Sequence, residues 1–224
     1  VFSSSVLIFA SAVVRALVWH FAAAQGAWHP VSCHHVAAAR RSLVVSGCHE
    51  TTMRFFTKAE CRDWCGPNLV PFDDRGRPLR PDVEPHHVIR DIPKSFTRLT
   101  WFCQHLERSL QPRDACLLWV TDWSVSPSSE NLHLYYRLRQ SYSDWRLLHE
   151  APGHLFLKYE AVDLASFLEV GILAGWDMHL LPTNGYGRAF VSHDEWVAFA
   201  SDANNPQLVA DFAEGLEGGP VPSP

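Results

Sequence analysis

The sequence predicts an α/β fold: a mixed, mostly parallel sheet of about four strands with helices packed on it. Three observations predict this class. Cys116 to Val120 is a continuous apolar run of strand length, the pattern of a strand covered on both faces. Apolar stripes at helical spacing flank it, with Leu99, Phe102, Cys103, Leu106 and Leu110 before it and Leu132, Tyr135, Tyr136 and Leu138 after it. Two further strand-like stretches, 154–159 and 177–181, each follow a helical stripe, and such right-handed crossovers place strands parallel. A fourth strand, 188–191, returns antiparallel after the Asn184-Gly185 hairpin signal.

Composition narrows the function. The chain has 224 residues, 47% of them hydrophobic, which suits one globular domain. A formal charge of −5 without a basic cluster argues against a nucleic-acid backbone as partner. Six cysteines without paired CxxC spacing form neither a disulfide framework nor a structural zinc site, and they point to a reducing, cytoplasmic setting.

Residues 1–52 differ from the rest. They hold one acidic residue, Glu50, no lysine, and five of the 13 histidines. From Met53 onward there are 16 basic and 23 acidic residues, a net of −7. The apolar run Val6 to Val14 lacks the preceding basic residues of a signal peptide, and Arg15 and His20 cut it short of a membrane span. We read 1–52 as a doubtful N-terminal extension, either upstream sequence translated in error or a leader. The domain then covers 53–216, and the Gly/Pro/Ser-rich 217–224 reads as a disordered tail. No membrane contact is expected for 53–224.

The elements follow in order. Met53 to Phe56 is a short first strand or a lead-in. Thr57 and Glu60 have capping-box spacing and open a helix that stops at Gly66-Pro67. Residues 66–94 carry six prolines and read as a long extended loop. Ser95 starts the next helix and Pro112 ends it. After the central strand, Ser126-Pro127 marks a helix start, with Glu130 in the first turn suited to the positive helix end. Residues 141–153 form a loop. Asp163 caps a helix that ends at Gly175. Ser192 to Glu195 matches a second capping box, and so a helix through Trp196, Val197 and Phe199 is expected. Asn205-Pro206 begins a last helix to about Leu216.

Parallel sheets bind ligands beyond the carboxyl ends of their strands, beside helix N-termini. That rule singles out Asp122 and Glu160 at two strand ends, with His193 as a base, for acid–base work. Trp123, Ser126, Ser128 and Ser129 would line the ligand. Each has a plainer role: Asp122 as a loop brace, the serines as turn residues, Ser192 and Glu195 as a cap. His149-Glu150-Ala151-Pro152-Gly153-His154 does not reproduce the zinc-protease spacing of two histidines four apart, and Pro152-Gly153 break a helix. His86-His87 has no third ligand nearby in sequence. There is no dinucleotide fingerprint, Walker loop or nucleophile elbow, so no cofactor is expected. The expected function is a non-catalytic protein-binding or regulatory module with a protein partner. The alternative is a small hydrolase or group-transfer enzyme with its site near Asp122 and Glu160.

Overall fold

A computed structural model describes residues 53–110, 113–123, 132–183 and 186–219. The chain forms β1 (Arg54–Phe56), α1 (Lys58–Cys65), β2 (His87–Asp91), α2 (Phe96–Leu110), β3 (Ala115–Asp122) and α3 (Leu132–Ser141). It continues with β4 (Gly153–Leu157), α4 (Ala161–Leu173), β5 (Asp177–Pro182), β6 (Gly187–Ser192), β7 (Trp196–Ser201) and α5 (Gln207–Gly218). The strands join in the order β1-β4-β3-β5-β6-β7-β2, and every neighbouring pair is antiparallel.

This corrects the expected sheet: among the described residues it has seven strands, not about four, and none of their pairings is parallel. The connections are helical as expected, but the strands they join have other neighbours. β4 and β5 do run in the same direction, yet they flank β3 and never touch. The α4 crossover therefore spans a strand that had already been laid down. Sequence shows that a helix lies between two strands; it does not show what lies between them in space.

Two elements differ from expectation for local reasons. β2 sits inside the proline-rich segment expected as loop, and its residues alternate between exposed and only half-buried because it is an edge. β7 lies where a helix is expected, because Ser192 and Glu195 imitate a capping box. Here they close a hairpin instead: the Glu195 amide donates to the Ser192 carbonyl at 3.1 Å and the Asp194 amide to Ser192 Oγ at 3.2 Å. Glu195 takes the left-handed conformation (φ 66°) that lets a three-residue loop rejoin its strand. Val197 to Ala200 are all buried, so no periodicity separates strand from helix there.

Elsewhere local chemistry holds. The Thr57–Glu60 box forms in full, with the Glu60 amide on Thr57 Oγ1 and the Thr57 amide on Glu60 Oε2. α2 buries the five residues of its predicted stripe. α4 begins at Ala161, behind a short turn at Lys158–Glu160, so Asp163 lies inside its first turn and is not its cap. It stops at Gly175 (φ 69°). α5 runs to Gly218, past the expected end at Leu216.

The larger core lies between one sheet face and α2, α4 and α5, and Tyr135 of α3 joins it. A smaller core on the opposite face packs Cys61 and Cys65 of α1 over Ala115, Leu117, Trp119, Leu155 and Leu181. Gly153 sits where α1, β1 and β4 converge. A Cβ there would run into Cys61 Sγ and come within 2.9 Å of Phe56 Cβ. Among the described residues, no helix is long and apolar enough to cross a membrane.

Candidate functional site

The antiparallel order decides which predicted site residues meet. Asp122 ends β3, exposed, and faces Asp177, the first residue of β5, across an irregularity after Val120. The β6–β7 hairpin brings His193 to the same end. The Asp177 carboxylate accepts the His193 backbone N–H at 2.8 Å and lies 2.8 Å from its Nδ1, and Asp194 Oδ1 lies 3.5 Å from Nε2. The hydrogen bond and charge of Asp177 raise the His193 pKa, and Asp194 and Asp122 add to it. Asp122 and His193 thus share one end of the sheet with two further carboxylates.

Glu160 does not join them. β4 runs antiparallel to β3, so its carboxyl end lies beside Ala115. Seven strand steps separate that level from Asp122, roughly 24 Å at the usual rise per residue. Glu160 is buried, and its Oε2 accepts the Leu157 amide at 2.7 Å. Trp123 turns inward and packs on Trp176 (4.7 Å), Tyr135 (5.9 Å) and His154 (6.4 Å). Ser126, Ser128 and Ser129 lie outside the described residues. Among the described residues, no three His, Cys, Asp or Glu side chains converge as a metal ion would require.

A second surface was not singled out from the sequence: the loop from Tyr142 to Glu150, between α3 and β4. It rests on a buried ion cluster. Arg139 is fully buried, and its Nη2 donates to Asp144 Oδ2 at 3.1 Å. Arg146 grips the same carboxylate from outside, with Nε on Oδ1 at 3.1 Å and Nη2 on Oδ2 at 2.8 Å. Burial opposes ionisation of Asp144, but the bonds from Arg146 and Arg139 outweigh it and hold its pKa at about 2. The Arg139 guanidinium lies over the rings of Phe55 (5.0 Å) and Tyr135 (5.9 Å), while its Nε and Nη1 find no hydrogen-bond partner among the described residues.

The loop backbone is fastened at both ends. The Asp144 amide donates to the Arg139 carbonyl at 3.0 Å, Ser143 turns the chain at φ 63°, and Arg146 Nη2 donates to the Phe55 carbonyl of β1 at 2.8 Å. The Leu147 amide donates to Glu150 Oε2 at 2.7 Å. Trp145, between these fixed points, is 74% exposed, and Leu147 is 51% exposed. The only sequence signal for it is Asp144-Trp145-Arg146, a tryptophan between two opposite charges within a segment that reads as loop.

Comparison of the chain with protein-family models, with curated proteins and with solved structures finds no match in any of the three.

Proposed function

We propose that this protein is a non-catalytic binding or regulatory module of the cytoplasm, which contacts another protein through Trp145 and Leu147. The observation that carries this reading is the 74% exposure of Trp145 on a loop pinned by the Arg139–Asp144–Arg146 cluster. An indole left in water forgoes the gain of burial, and a rigid backbone stops it from folding back onto its own domain. Binding energy concentrates in such aromatic anchors, and a preorganised anchor loses less entropy on docking. Among the described residues, the free, buried cysteines Cys61, Cys65, Cys103 and Cys116 support a reducing compartment. The net negative charge favours a protein over a nucleic-acid partner.

A photo-crosslinking residue at position 145, compared with one at exposed Asn204, tests this in extract from the native source. The expected result is one protein captured from position 145 alone, which then binds Trp145→Ala at least ~30-fold more weakly, the scale of an interface hot spot. Identical capture from both positions, or undiminished binding by Trp145→Ala, overturns the reading.

A second reading rests on the Asp177–His193 pair with Asp122 beside it. It is a small hydrolase or group-transfer enzyme in which His193, whose charged form Asp177 favours, donates a proton to a leaving group. Glu160 has no part in it. The test is turnover of a panel of simple esters, amides and phosphoesters. Activity that falls on the order of 100-fold in both His193→Gln and Asp177→Asn supports this reading, and no turnover by the unaltered protein ends it for those classes.

A further inference from the structure

We propose that β2 is a self-pairing edge, at which two copies of this chain join antiparallel about Ile89 into one continuous sheet. The argument begins with the direction of the backbone groups. In the β2–β7 ladder the Ile92 amide donates to the Glu195 carbonyl at 2.9 Å, and the Ser201 amide donates to the His86 carbonyl at 3.1 Å. Hydrogen-bonded positions alternate along an antiparallel strand, so His86, Val88, Arg90 and Ile92 point their backbone groups at β7. His87, Ile89 and Asp91 therefore point theirs away from the sheet. Among the described residues no strand pairs with β2 on that side. The outward carbonyl of Ile89 accepts a hydrogen bond from Arg90 Nη1 at 3.0 Å, as this direction requires.

The outward triplet is complementary to itself. An antiparallel copy centred on Ile89 sets Ile89 against Ile89 of the second copy, His87 against its Asp91, and Asp91 against its His87. All three are exposed, and Ile89, 47% exposed, is the one apolar residue among them. The two-fold axis thus covers apolar with apolar and pairs imidazole with carboxylate on either side. Opposed side chains of this kind are the stabilising unit of a sheet. Each of the three pairs is a hydrogen-bonded pair, so the backbone register and the side-chain register agree. His87 is already oriented, since its Nδ1 donates to the Glu84 carbonyl at 2.7 Å, and in the imidazolium form its Nε2–H is the donor to the carboxylate.

Few natural proteins leave such an edge unguarded. Here Arg90 is the guard: it covers the Ile89 carbonyl and lies 3.9 Å from Glu217 of α5. Each copy gives up that one side-chain bond and gains backbone pairing. Because a five-residue strand covers less than a standard interface, the dimer is weak and forms at high-micromolar protein.

Sedimentation velocity of the full chain over a concentration series tests the proposal. The expected result is a rise from the 25.3 kDa monomer towards twice that mass. His87→Asp places like charges opposite each other and should weaken association at least tenfold, and adding Asp91→Lys to it should restore association. The register has its own test. Ile89→Cys should form an interchain disulfide on oxidation, because hydrogen-bonded partners lie ~5.5 Å apart at Cα, within disulfide reach. His87→Cys, which faces Asp91, should form none beyond the unaltered chain. A chain that stays monomeric throughout overturns the proposal, as does association indifferent to His87→Asp. Monomers whose edge gains protection only when a foreign strand peptide is added would assign the edge to another protein. Circular dichroism confirms that each variant is folded, and the restored double variant guards against a trivial loss in the single one.

Discussion

At the residue scale, buried charge and buried imidazole dominate. Asp144 is the counter-ion of the fully buried Arg139, and Asp144→Ala would strand that guanidinium. Breaking one partner out of a buried pair costs about 3–5 kcal/mol, so we expect a loss of that size in urea unfolding. His154 and His179 are wholly enclosed, and burial, with nearby arginines, pushes both pKa values down to about 3. Their folded values lie below the unfolded value of about 6.5. Between these limits the unfolded chain binds more protons, so stability is flat above that value and falls as pH drops below it. Each histidine contributes a slope of about 1.4 kcal/mol per pH unit. Unfolding free energies measured from pH 7 to 4.5 should show the decline, and His179→Leu should make it shallower. A decline unchanged in that variant would remove His179 as a cause.

At the scale of elements, the corner where α1 crosses β1 and β4 depends on one missing methyl. Gly153→Ala would push its Cβ into Cys61 and Phe56, and overpacking of this kind costs about 1–3 kcal/mol. Chemical denaturation measures it, and an unchanged midpoint would show that α1 moves aside at no cost. This corner was only half visible in the sequence. The Thr57–Glu60 box announced α1, because each group finds its partner three residues away. What α1 covers, namely the face bearing Leu117, Trp119 and Leu181, is set by contacts with residues far along the chain. The Ser192–Glu195 segment shows the opposite outcome. The same capping spacing serves a hairpin there, since a hydroxyl and a free amide satisfy each other in either setting.

At the scale of the whole molecule, the sheet has two unlike edges. β1 is three residues long and its Phe55 carbonyl is taken by Arg146, so one cluster both closes that edge and raises Trp145 beside it. β2 is longer and turns three residues' backbone groups outward. Hydrogen exchange in dilute protein should therefore alternate along β2: fast at His87, Ile89 and Asp91, and slow at Val88, Arg90 and Ile92. At high concentration the fast set should slow. Uniform exchange along β2 would contradict the ladder phase on which the self-pairing rests.

The sequence by itself determined the helices with clean stripes, the one opened by the Thr57–Glu60 box, the strands at 116–121, 177–181 and 188–191, and the placement of Asp122 and His193 at the ends of elements. These follow from hydrogen bonds and burial patterns that repeat within a few residues, and every short window carries them. Only the tertiary structure decided that β3 lies between β4 and β5, that Asp122 and His193 share an end while Glu160 lies at the other, and that a buried arginine cluster holds Trp145 in solvent. Those outcomes depend on which distant segments become neighbours. An antiparallel and a parallel neighbour present the same apolar run, so periodicity alone cannot choose between them.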